Sequence, residues 1–335
     1  MFSRRAIPAL TSCRYYSTSA PGKPSIKLVA ELRKLTDVSI TKAREALAAT
    51  NNDVQAAFRW LDTDLVASGA KKAAKLGDRT TQQGLVGVST ISNSDDRGRG
   101  VRTAMVEVNC ETDFVGRNPK FDALVADIAH TAAFLAEAQD STSFFNAFPV
   151  EQLLEAPVIS RESPGSEADK TVGSAINDSI ARFGERIQLR RAVSVVHTPP
   201  KSDVRVRVAS YFHGSVNLPT NGHIGTLAVL GVRHPNVEKI FASPDFVKSL
   251  EGLERALARQ IVGFPTARIR SATDAADEEA LYDQQFMMYA SANGENVSSV
   301  LQQWLRVNGH VETGEANSGL EVLEFLKWTV GEEST

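Results

Sequence analysis

The chain has little that would mark an enzyme, a membrane protein or a disulfide scaffold. No apolar run in its 335 residues approaches the roughly 20 needed to span a bilayer, so no membrane association is expected. Only two cysteines occur, Cys13 and Cys110, too few for a disulfide framework and in keeping with a reducing compartment. No G-x-x-x-x-G-K-[ST] phosphate loop and no G-x-S-x-G elbow is present. The six histidines, at 130, 197, 213, 223, 234 and 310, lack metal-ligand spacing. Gly98 and Gly100 sit in a polar turn rather than ahead of a helix, so they make no dinucleotide fingerprint. A net charge of −3 gives no basic footprint for nucleic acid. The chain therefore reads as a binding protein rather than an enzyme, with no cofactor expected.

Acidic residues are also missing from the N-terminus, where none precedes Glu31. Arg4, Arg5 and Arg14 stand among serines and threonines, with Phe2, Ile7 and Leu10 able to line one helix face. Arg-rich, Ser-rich and acid-poor is the composition of an organelle transit peptide; a plain N-terminal tail is the alternative. Arg14-Tyr15-Tyr16-Ser17 resembles a matrix-processing site, which places cleavage between Tyr16 and Ser17. Residues 1–16 are read as the transit peptide and 17–25 as a linker.

What remains is ordinary globular material, 42% hydrophobic and 23% charged. Residues 26–66 carry three short helical patterns. Ile26, Leu28, Val29, Leu32 and Leu35 mark the first. Ser39 caps a second, with Ile40, Ala43 and Leu47 on one face. Asn51 or Asn52 caps a third, followed by Val54, Phe58, Leu61 and Leu65. Residues 67–83, rich in Ala and Lys, form a helical or extended connector. Strands are expected over 85–91 and 101–108, joined by the polar turn 94–100. Asn118-Pro119 opens a long helix. A loop at 160–170 and a helix at 171–183 precede strands at 187–196, 204–212 and 224–232. In the second of these, Val204, Val206 and Val208 alternate with Arg205 and Arg207, which predicts valines inward and arginines outward. Hairpins outnumber βαβ units, so the fold class is α+β: a small three-helix domain, then a core of two subdomains, 84–165 and 166–335, with antiparallel sheets flanked by helices.

Between the second strand and the Asn118 helix lies Thr112-Asp113-Phe114-Val115-Gly116-Arg117. Connections of this kind run over the surface, and a surface loop rarely needs a large aromatic. Phe114 and Val115 either fold back as a hydrophobic staple on Phe121 or Leu124, or Phe114 is an anchor for a partner. Cys110, inside an apparent strand, is read as a small buried filler rather than a nucleophile.

Glu107-Val108-Asn109-Cys110-Glu111-Thr112-Asp113-Phe114-Val115, continued by Arg117-Asn118, resembles the signature of the elongation factor Ts family. Leu28-Val29-Ala30-Glu31-Leu32-Arg33 and Ala43-Arg44-Glu45-Ala46-Leu47 resemble its N-terminal domain. Ser68-Gly69-Ala70-Lys71-Lys72-Ala73-Ala74-Lys75 resembles its linker. Gly184-Glu185-Arg186-Ile187-Gln188-Leu189-Arg190-Arg191, Tyr211-Phe212-His213-Gly214 and His223-Ile224-Gly225-Thr226-Leu227 resemble its core. These matches run in family order from about residue 26 to 230. The resemblance implies a ubiquitin-associated-like fold for 26–66 and guanine-nucleotide exchange on a mitochondrial elongation factor Tu, in its GDP-bound and nucleotide-free states, in the mitochondrial matrix. By position it assigns Asp113 and Phe114 to the tip that wedges near the partner's magnesium and phosphate site, with Thr112 and Val115 beside them. It assigns Ile40 and Thr41 to a contact from the N-terminal domain, and His213 to a contact with another domain of the partner. The chain departs from the family at 37–41, where a Gly-rich turn is usual, and at 215–221, which look inserted. The alternative is a non-exchanging interaction protein, a ubiquitin-type adaptor using 26–66.

Overall fold

Helical spacing and strand alternation become elements close to where the sequence puts them. The computed structural model describes residues 23–36, 38–94, 100–139, 141–161, 170–198, 203–272, 277–310 and 318–333, apart from the side chains of 62 and 65–68. The expected transit peptide with Tyr16 and Ser17, the side chain of Leu65 and most of the 94–100 turn lie outside the described residues. So does most of the 160–170 loop. The chain forms two units, Met1–Asp64 and Leu65–Thr335.

The first unit contains α1 (Ile26–Thr36), α2 (Ile40–Ala49) and the start of α3 (Val54–Leu76). Its core is a small cluster around Leu32, Val38, Leu47 and Leu61. Ser39 caps α2 as expected, its Oγ accepting from Lys42 N–H at 3.2 Å. The third cap is corrected: Asp53, not Asn51 or Asn52, accepts from the N–H groups of Gln55 and Ala56. Asn51 and Asn52 instead turn the chain, with φ of 53° and 65°, a region asparagine tolerates better than most residues. Ile26, Leu35 and Phe58 belong to the helical patterns but are exposed; in α1 only the stripe of Val29, Leu32 and Thr36 is buried. Helix α3 does not break at 66; it runs on to Leu76, so the connector is helical for most of its length.

The second unit continues with β1 (Gln83–Asn93), β2 (Val101–Cys110), α4 (Asp113–Gly116), α5 (Pro119–Leu135), β3 (Asn146–Ala147), α6 (Val150–Glu155), α7 (Val172–Phe183) and β4 (Ile187–His197). Then come β5 (Val204–His213), β6 (Asn221–Gly222), β7 (Ile224–Arg233), α8 (Val237–Phe241), α9 (Pro244–Gly263), α10 (Val297–Val307) and β8 (Gly319–Thr329). One sheet has the order β3-β4-β2-β1-β6 and the other β5-β7-β8, with every named pair antiparallel. Mixed helices and antiparallel sheets make this unit α+β. Strand β4 pairs with β2 along its length, and β6, from between β5 and β7, pairs with β1, so the first sheet draws strands from both sides of 165/166.

The period-2 alternation of strands sorts side chains into layers. Val86, Val88, Met105 and Val193 meet Val206, Val208, Leu227 and Val229 between the sheets. The other face of the first sheet buries Val106, Val108 and Leu189 against Phe121 and Ile128 of α5 and Ile176 of α7. The outer face of the second sheet buries Ala228, Leu230 and Val232 under α8, α9 and α10. That arrangement corrects the expectation for Arg205 and Arg207, which do leave the valine face but do not reach water. Arg207 is 3% exposed and donates to Glu254 of α9 at 2.8 Å, with a further bond to the Asn93 carbonyl at 2.7 Å. Helix α9 covers the face that alternation alone assigns to solvent.

Candidate partner interface

Residues 112–117 are the short link from β2 to α5, and α4 occupies most of it as a single helical turn. Thr112 holds extended backbone, φ −122° and ψ 155°, ahead of that turn. Gly116, Arg117 and Asn118 donate back to the carbonyls of Thr112, Asp113 and Val115. Asn118 caps α5 through its Oδ1, which accepts from Lys120 N–H at 2.9 Å, with Pro119 at the first position. The two hydrophobic residues of the turn separate. Val115 is buried in the cluster that holds Phe121 and Leu124. Phe114 is 83% exposed. The staple is therefore Val115 alone, and of the two readings of Phe114 the fold-back is excluded. Fully burying such a ring is worth about 1.5–3 kcal/mol, a gain the fold leaves uncollected.

Polar contacts hold the turn from several sides. Thr112 donates its N–H and its hydroxyl to the Glu185 carboxylate at 3.0 and 2.7 Å. Cys110 donates its thiol to the Thr112 carbonyl at 3.2 Å. Burial, with help from the Glu185 charge, pushes that thiol up to about 12, so Cys110 is filler and not a nucleophile. Asp113 and Arg117 form an exposed ion pair at 3.2 Å, the kind that contributes little to stability.

The segment 215–221 packs beside this turn. Asn217 donates to the Arg117 carbonyl at 3.2 Å, Leu218 N–H to the Asp122 carboxylate at 3.0 Å, and Asn221 to the Asp122 carbonyl at 2.9 Å and to its carboxylate. Asp122 is 2% exposed, and these bonds satisfy it. His213 is exposed at the end of β5, and its carbonyl accepts from His223 N–H at 2.7 Å. The His223 imidazole is held below its ordinary value, chiefly by burial and then by the Arg117 charge, with Asp113 opposing. The histidine turn thus shares the electrostatic surroundings of Asp113 and Arg117.

Ile40 and Thr41 lie in the other unit, both exposed in the first turn of α2, Ile40 at 48%. Within the second unit the structure brings Thr112, Asp113, Phe114, Val115 and the 213–223 turn into one neighbourhood; Ile40 and Thr41 are neighbours within the first unit. Sequence reasoning gave no role to Glu185, Asp122, Asn217 or Asn221. Glu185 was visible only as part of a resemblance, since nothing local points to Thr112. Among the described residues no group of three or more His, Cys, Asp or Glu side chains is arranged to hold a metal ion, and no helix is long and apolar enough to cross a membrane.

Comparison with known proteins bears on this surface. The family model described as Elongation factor TS matches residues 111–262, a span that opens at the Phe114 turn. The chain is 52% identical over 324 residues to a protein of Coprinopsis cinerea named "Elongation factor Ts, mitochondrial", covering 95% of each chain. A Laccaria bicolor protein of the same name is 48% identical, with 96% of each covered. One from Cryptococcus neoformans is 35% identical, with 98% of this chain and 92% of the relative covered.

Proposed function

The chain belongs to the elongation factor Ts family as a mitochondrial translation elongation factor, and on that premise we propose that it is the guanine-nucleotide exchange factor of mitochondrial elongation factor Tu, acting in the matrix through the Phe114 turn. The observation that carries the proposal is an aromatic ring 83% exposed on a turn held by the Thr112–Glu185 bonds and the buried Val115. Asp113 is the polar neighbour of the ring, while Thr112 and Val115 hold it in place. The three-helix unit is the ubiquitin-associated-like domain and contributes Ile40 and Thr41. His213 belongs to a further contact with the partner. Elongation factor Tu is bound in both GDP-bound and nucleotide-free states. The protein makes and breaks no covalent bond of its own.

A GTPase holds nucleotide through Mg²⁺ and a phosphate-cradling loop. A partner that prefers the distorted, emptied site weakens nucleotide, and nucleotide weakens the partner by the same factor. Burying the Phe114 ring only in the distorted complex gives up to about a hundredfold bias, so the remaining contacts supply the rest. The test is release of a fluorescent GDP analogue from mitochondrial elongation factor Tu. Phe114→Ala is expected to slow stimulated release about tenfold or more, with the thermal transition unchanged. Stimulated release at the wild-type rate would remove Phe114 from the mechanism.

A further inference from the structure

We infer that Glu185 is the positioning residue of the Phe114 turn: its carboxylate, arriving from 73 residues along the chain, fixes the turn in the conformation that presents the ring. This rests on the reading of Phe114 as the partner contact. A helical turn of four residues does not hold itself, because fixing the first turn costs more than its few hydrogen bonds return. Thr112 sits where a capping side chain belongs, yet it makes no side-chain bond to the turn's own N–H groups. Both of its donors go instead to Glu185, and bonds to a charged acceptor are about twice as strong as neutral ones.

The exchange is reciprocal. Glu111 accepts from Arg186 N–H at 2.6 Å, so each of the two facing turns gives a carboxylate to the other's backbone. The last backbone rung between β2 and β4 is Cys110 opposite Ile187. The Thr112–Glu185 and Glu111–Arg186 bonds carry that ladder past its end with side-chain atoms. Gly184, at φ +77° as the left-handed cap of α7, turns the chain so that Glu185 arrives there. Val115 is buried beneath. Carboxylate clamp, reciprocal bond and buried valine fix the backbone around one side chain, and that side chain is the exposed ring.

If Glu185 acts by pre-setting the turn, its loss lowers the fraction of molecules ready to bind, and apparent affinity falls by that fraction. In the GDP-release assay with full-length protein, Glu185→Ala is expected to raise the concentration for half-maximal stimulation about fivefold, leaving the maximal rate within about twofold. Glu185→Gln, which keeps one acceptor oxygen, falls between. In a Phe114→Ala background Glu185→Ala adds nothing further. Hydrogen exchange at Gly116, Arg117 and Asn118 quickens in Glu185→Ala and not in Phe114→Ala. Should Glu185→Ala fold poorly, Thr112→Val, which removes only the hydroxyl arm, shifts half-saturation about twofold in the same direction. Unchanged half-saturation, unchanged amide exchange, or an equal loss in both backgrounds overturns the inference. If the wild-type protein itself does not stimulate release, the exchange reading fails, while the amide measurement still decides whether Glu185 sets the turn.

Discussion

The Phe114 turn and the Ile40 turn use one device with different depth. Each places an exposed apolar side chain within the first helical turn after a hydroxyl residue, next to a buried valine: Thr112, Phe114 and Val115 in one, Ser39, Ile40 and Val38 in the other. Around Ile40 the support is local. Ser39 caps its own helix, and Arg33 donates to the Val38 carbonyl five residues away at 3.1 Å. Around Phe114 the support comes from Glu185 and Asn217, 73 and 100 residues from the groups they hold. A locally built turn needs only its own helix hairpin. A turn built from distant parts exists only when the whole unit is folded, and it is correspondingly well fixed. The difference accords with the roles proposed for them, Phe114 as the wedge and Ile40 as an accessory contact.

Three further measurements would sharpen or break that contrast. Ile40→Ala, set beside the tenfold or larger effect at Phe114, is expected to weaken exchange only about two- to fivefold, as for a partly exposed rim contact; equal effects would end the distinction between wedge and accessory. Ser39→Ala removes the cap of α2 and should cost the three-helix unit about 1 kcal/mol, read as a lower melting temperature of that unit while amide exchange at 116–118 stays unchanged. A change at 116–118 would show that the two turns are not independently supported. The smallest effect is that of pH. Burial holds His130, His197 and His223 below their ordinary 6.5. In that window the unfolded chain binds more protons, so stability is complete above about 6.5 and declines as pH falls toward the folded values. His223→Asn should flatten part of that decline, and an unchanged pH profile would separate His223 from it.

The fold was legible where a local pattern decides it. Ser39, Asn118-Pro119 and the strand alternations each name an element within one or two residues. It was illegible where a distant element decides it. Arg205 and Arg207 read as solvent-facing because alternation tells which face a residue occupies and not what covers that face; α9 covers it and supplies Glu254. Asn51 and Asn52 read as caps because asparagine favours both caps and left-handed turns, and Asp53 next door took the cap. The candidate site divides in the same way. An aromatic in a surface link marked Phe114, but periodicity left it undivided from Val115. Glu185 carries no local signal, since a glutamate after a helix-ending glycine looks like any exposed turn residue.

The pairing of β2 with β4 has a consequence for the order in which the molecule comes into being. A ribosome delivers β1, β2 and the Phe114 segment well before residue 185, and a hairpin can form as soon as its two strands are available. Contacts that close long loops come later. A chain stopped after its first hairpin thus carries the Thr112–Val115 letters without the clamp that gives them a shape. On the role proposed for Phe114, competence to engage a partner follows the docking of β4, because the Glu185 clamp arrives with that strand.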